Sequence, residues 1–155
     1  VSSDIPAITA EMIDWMSAEV AKSNHQVFYN VVTQEDMEHR FPGSKRSFTR
    51  FRDLSVCGGD MTAFRTDLIT GENNLWQKII ESRKNVFKQA ALIGYDTLIL
   101  LLLRRLTIDG AVERAGRSLD VTAKALRCPY PEIAMDVDKP FQFDLLRADL
   151  SEQAG

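Results

Sequence analysis

Ala134-Met135-Asp136-Val137-Asp138-Lys139-Pro140, near the C-terminus, carries the strongest fold signal in the chain. Its apolar residues give way to two aspartates and a proline, the pattern of a buried strand that feeds a helix and leaves a carboxylate at its tip. Val1-Ser2-Ser3-Asp4-Ile5-Pro6, at the other end of the chain, has the same form. Sheets of α/β proteins hold their ligands at such tips, and two tips side by side put two carboxylates on one cleft. The expected fold is therefore α/β, with Asp4 and Asp138 as neighbours.

The residues between alternate between helical and extended patterns. Met12, Trp15, Met16 and Val20 recur at helical spacing over residues 9–22, and residues 27–32 form a β-rich run. Thr33 and Asp36 resemble a capping box for a short helix reaching Phe41, ended by Pro42-Gly43. Residues 47–52 alternate apolar and polar, as in a half-buried strand, and 53–55 turn the chain toward Val56-Cys57 and the Gly58-Gly59 pair. Helices are expected at 73–94, 96–106 (with Asp96 as N-cap) and 107–119, the last weakened by Gly110 and Gly116 at about 1 kcal/mol each. Strands follow at 122–128 and 133–137, then a helix over 140–150 that buries Phe141, Leu145 and Leu146. This interleaving predicts one domain over 1–155, with a mixed, mainly parallel sheet and flanking helices.

Composition bounds the function. With 155 residues, 45% apolar and 26% charged, the chain suits one soluble domain. A net charge of −3 supplies no basic footprint for nucleic acid. The apolar run 98–103 is far short of the ~20 residues that cross a bilayer, and it reads as a core helix. Cys57 and Cys128 have neither disulfide-framework nor zinc spacing, and no signal peptide opens the chain, so a cytoplasmic location is expected.

Asp4 and Asp138 are the leading candidates for chemistry, because hard oxygen ligands at two strand ends suit Mg2+ on a nucleotide phosphate. The plainer readings are a turn residue before Pro6 and an N-cap for the last helix. Asp136, two residues before Asp138, offers a further ligand, a partner to one, or a solvated acid. Gly58-Gly59-Asp60 either allows close backbone approach to a ligand or marks a bulge or turn. Arg83, Lys84, Lys88 and Lys139 either reach phosphate oxygens or are solvated, and His25 and His39 have no partner at metal or triad spacing.

Three of these segments together resemble a family. Ser2-Ser3-Asp4-Ile5-Pro6 followed by Thr9 looks like the mid-chain aspartate–proline segment of nucleotidyltransferases with a GT-A-like fold, those related to molybdenum-cofactor guanylyltransferase. Asp136-Val137-Asp138-Lys139-Pro140 resembles their C-terminal acidic segment, and Cys57-Gly58-Gly59-Asp60 falls where they place a glycine pair near the acceptor. The resemblance implies a nucleotide-diphospho-sugar transferase-like fold and transfer of a nucleotidyl group from a nucleoside triphosphate to a phosphorylated or otherwise nucleophilic acceptor, releasing pyrophosphate. Asp4, Asp138 and Asp136 would then serve the Mg2+, and Gly58, Gly59 and Asp60 the substrate. The family's N-terminal glycine-rich segment has no counterpart here, so the expectation is a C-terminal part with the N-terminal nucleotide-binding half missing, inactive alone and prone to form homo-oligomers. The alternative from a different class is a non-catalytic interaction or regulatory domain that self-associates through the helix around 98–103.

Overall fold

The computed structural model describes residues 4–70 and 94–153. The expected helix at 73–94, with Arg83, Lys84 and Lys88, and the segment Val1-Ser2-Ser3 lie outside them. Helix α1 (Ala10–Ala21) turns Met12 and Met16 into the core and Glu11 to its first turn, where the helix dipole favours an acid. It leads into β1 (Val27–Thr33). Thr33 ends that strand and caps α2 (Gln34–Arg40), its hydroxyl accepting from the Asp36 amide at 3.1 Å.

After a loop and the two-residue β2 (Thr49–Arg50), a turn closed by the Phe51 amide on the Leu54 carbonyl at 2.9 Å sends β3 (Ser55–Phe64) back along the sheet. The short α3 (Thr66–Thr70) follows, then α4 (Tyr95–Leu102), α5 (Ile108–Ser118), β4 (Ala123–Arg127), a 3-10 turn at Pro131–Ala134 and α6 (Pro140–Gln153).

The described strands form one sheet in the order β2-β3-β1-β4. β1 runs parallel to β4 but antiparallel to β3, and β2 is antiparallel to β3. The sheet is mixed as expected, yet mainly antiparallel and not mainly parallel, because the tight turn before β3 makes a hairpin with β2 and β3 also runs against β1. Both faces of β1 are covered. Phe28 and Val32 face a core with Met12, Met16, Met37, Phe41, Ile133, Met135 and Leu146, while Val31 faces a smaller cluster with Val56, Ile108 and Ala125. Burial on both sides suits the β-rich run at 27–32, although Asn30 is a buried polar residue within it and Tyr29 is exposed.

Two expected elements differ. No strand forms at 133–137, where Ile133, Ala134 and Met135 are consecutive and each fully buried. Burial of three successive side chains is incompatible with a strand that alternates between core and water, and a 3-10 turn begun by Pro131 accommodates it. Nor is 98–103 a core helix: Ile99, Leu102 and Leu103 are exposed, Leu102 at 83%, while Thr97 on the same helix is buried. Asp96 lies inside the first turn of α4 and pairs with Arg114 at 2.7 Å, while Gly94, at a φ of 90° that favours glycine, stands at the N-cap position. Among the described residues, no helix is long and apolar enough to cross a membrane.

Helix α5 is capped at its start by Thr107, which accepts from the Gly110 amide at 3.2 Å. Its end is a Schellman motif: the Val121 amide reaches the Gly116 carbonyl at 2.9 Å and the Asp120 amide the Arg117 carbonyl at 3.2 Å, with Asp120 at a φ of 57°. Gly116 is there for closeness. A Cβ on it would lie 2.7 Å from the Val121 carbonyl oxygen and 3.1 Å from the Ala123 Cβ, so a side chain would push α5 off β4. Gly116→Ala is expected to lower stability by about 1–3 kcal/mol in urea unfolding, although alanine is the better helix former. A variant as stable as the parent or more so would show that α5 does not need this approach.

Candidate metal centre

A backbone link brings the ends of the described chain together. The Val137 amide donates to the Asp4 carbonyl at 3.1 Å, and Ile5 and Ala7, both buried, anchor the residues that follow. At the entrance to α6 the buried Gln142 side chain accepts from the Lys139 amide at 2.9 Å and the Asp138 amide at 3.1 Å. A glutamine three residues into a helix that reaches back to the N-cap amide is half of a capping box. The cap is thus built by Gln142, and the Asp138 carboxylate, itself exposed, is not used for it.

One ligand oxygen from each of Asp4, Asp136 and Asp138 lies within 4.8 Å of the other two. Asp4 and Asp138 are exposed and Asp136 is buried. The two sequence segments therefore meet, though not as paired strand tips: the Asp138 side is a turn leading into a helix. Asp136 is ion-paired with Arg46, a buried pair whose side chains are 13% and 16% exposed. Arg46 also stands 3.8 Å from Asp60 and 3.5 Å from the Gly58 carbonyl. Burial raises the Asp60 carboxyl above its usual range, Arg46 opposes that shift, and the charges of Asp4 and Asp138 add to it. Asp60 is thus within electrostatic reach of the acidic pair.

The glycine pair beside Asp60 lies within β3 and does not end it. The register against β1 shifts between Tyr29 and Val31, a bulge opposite Asn30. Gly59 lets the 3-10 turn approach, since a Cβ there would meet Ile133 at 3.0 Å and Asn30 at 3.2 Å. The bulge reading of the pair describes the backbone, and the placement of Asp60 next to Arg46 comes with it. Cys57 and Cys128 are free and buried, and burial pushes both thiols up, that of Cys128 to about 11. His25 contacts Ser23 at 3.1 Å and packs edge-on to Phe28, away from these groups.

Arg46 was not legible as a site residue in the sequence, because its partner Asp136 is 90 residues away. The signal available was Lys45-Arg46 in a glycine-containing loop, a pair of cations in the turn that precedes β2.

Three carboxylates converge here, two exposed and one buried against Arg46, and carboxylate oxygens are the donors that a divalent cation preferring oxygen and keeping several waters would take. The residues fit magnesium better than zinc, since no histidine or cysteine belongs to the group.

No protein-family model matches this chain, and no curated protein does. A solved structure described as a hypothetical transferase from Thermus thermophilus is similar to it, with 34% sequence identity and a TM-score of 0.80. The likeness covers 90% of this chain, which spans 59% of that one. This chain shares, over nearly all of its length, the mixed α/β architecture of that structure.

Proposed function

We propose that this chain carries the metal-binding part of a magnesium-dependent nucleotidyltransferase. The observation that carries the reading is the meeting of Asp4, Asp136 and Asp138 within 4.8 Å across the whole length of the chain. The similar structure's description as a hypothetical transferase supports the broader class. The nucleotidyl assignment rests on the resemblance of the segments around Asp4, Gly58 and Asp138.

In this reading Asp4 and Asp138 hold the ion. Bound there, magnesium would neutralise charge on the triphosphate and on departing pyrophosphate. Arg46 fixes Asp136 beside the pair and keeps its charge compensated, so that two carboxylates and not three face the cleft. Asp60, on the bulge of β3, sits on the acceptor side of the site. An acceptor oxygen attacks the α-phosphorus as the α–β bridging P–O bond breaks. The bond's electron pair leaves with pyrophosphate, and any proton on the nucleophile passes to solvent.

The test is pyrophosphate release by the full-length protein with a panel of nucleoside triphosphates, Mg2+ and phosphorylated acceptors. Magnesium-dependent release that disappears in Asp4→Ala is the expected result. Absence of nucleotide binding, or binding indifferent to magnesium and to that substitution, contradicts the proposal.

A further inference from the structure

A cleft of about 240 Å³ opens beside Asp138, and its lining is cationic: Lys45, Arg46 and Lys139 against the single carboxylate of Asp138, with Ser47 and Gln142 completing the polar wall. Arg46 is engaged by Asp136 and Asp60. Neither Lys45 nor Lys139 forms an ion pair among the described residues. Lys45 instead rests its ammonium 5.3 Å from the centroid of the Phe141 ring, on the first turn of α6. It belongs to the loop before β2 and Lys139 to the turn before α6, so two separate segments contribute a lysine each to one small cavity.

Two ammonium groups and a guanidinium line one cavity against a single carboxylate, an excess of positive charge that favours entry of an anion. Of the acids nearby, Asp136 is paired with Arg46, and Asp138 lines both this cavity and the metal centre, so the cavity keeps more cationic than anionic groups. The cavity suits one tetrahedral oxyanion, which the lysines would bind as point charges and Ser47 would reach with its hydroxyl.

We infer that Lys45 and Lys139 form an anion subsite that binds the phosphate group of the acceptor substrate beside the metal centre. This rests on the proposed transferase reading for the word acceptor, while the phosphate affinity itself does not. Lys45 and Lys139 thereby determine which acceptors enter, and Asp138 is shared between the two halves of the site.

The experiment has two arms. In the first, this chain is titrated with inorganic phosphate in the presence of a chelator and followed by calorimetry. Saturable binding is expected, weakened at least about tenfold in Lys45→Met/Lys139→Met, a substitution at two exposed positions, and retained in Asp138→Asn. No binding by the parent, or equal binding by the double variant, overturns the subsite whether or not magnesium binds. In the second arm, the double variant of the full-length protein is expected to show a raised KM for a phosphorylated acceptor with an unchanged KM for the nucleoside triphosphate. The opposite split would assign the lysines to a nucleotide phosphate and overturn the acceptor assignment.

Discussion

Asp138→Ala is expected to weaken divalent-cation affinity by at least about 100-fold while leaving stability within about 0.5 kcal/mol of the parent. The two halves of this expectation come from different observations. Asp138 is exposed, and Gln142, not Asp138, satisfies the amides at the entrance of α6, so its removal costs the fold little. Its carboxylate is nevertheless one of three that converge within 4.8 Å, and with Asp136 ion-paired to Arg46 it is one of two that face the cleft. In the proposed site two carboxylates would share the charge of the cation, and the loss of either would leave a single ligand on a strongly hydrated ion. Calorimetric titration with Mn2+ and urea unfolding on the same preparation separate the effects. A variant that binds as the parent does removes Asp138 from the site, and one that unfolds makes its role structural.

Arg46→Met carries the largest expected cost in stability, about 3–5 kcal/mol. Methionine keeps much of the volume and removes the charge, so Asp136 is left buried without its cation. The energetic weight lies in that uncompensated carboxylate more than in the lost hydrogen bonds. It follows that Arg46→Met/Asp136→Leu should recover most of the loss, since replacing both members of a buried pair by apolar residues is often close to neutral. Denaturant midpoints of the parent, the single and the double variant make the comparison. A single variant that loses less than about 1 kcal/mol, or a double that loses as much as the single, would mean that Arg46 and Asp136 are screened by solvent and that the pair does not organise the centre.

The elements legible in the sequence were those whose signals are local. Thr33 with Asp36 three residues on announced a helix start that the structure builds with the expected side-chain to amide bond, whereas Thr107, expected inside its helix, is the cap of α5. The strand at 27–32 had β-rich composition, that at 122–128 was bounded by the rigid Pro129-Tyr130-Pro131, and both are in the sheet. Residues 133–137 misled because an apolar run carries no record of whether it pairs with a neighbour or is simply enclosed. Ile133 to Met135 are enclosed. The run 98–103 misled in the opposite sense, since apolar composition does not say how many sides of a helix the protein covers. Sheet direction was misjudged for a further reason: the turn at 51–54 is short enough for a hairpin, and a hairpin forces an antiparallel partner.

At the site, Asp4, Asp136 and Asp138 stood out through the proline that follows each segment, and the structure places them together. The way they are held was not legible. It depends on the Val137 amide reaching Asp4, on Gln142 taking over the cap, and on Arg46 crossing from the loop before β2, each a contact set by the folded chain. Lys139 was visible as a cation next to the acidic segment. Lys45 gained its meaning only when the two loops were seen to line one cavity.

The most direct measurement is anomalous diffraction from crystals of this chain soaked in Mn2+, which takes the same oxygen ligands as magnesium and is visible at its own absorption edge. The account predicts one strong peak within about 2.3 Å of a carboxylate oxygen of Asp4 and of Asp138, with Asp136 still paired to Arg46. A map without a peak between those two aspartates, or with its peak at another group of residues, would contradict it.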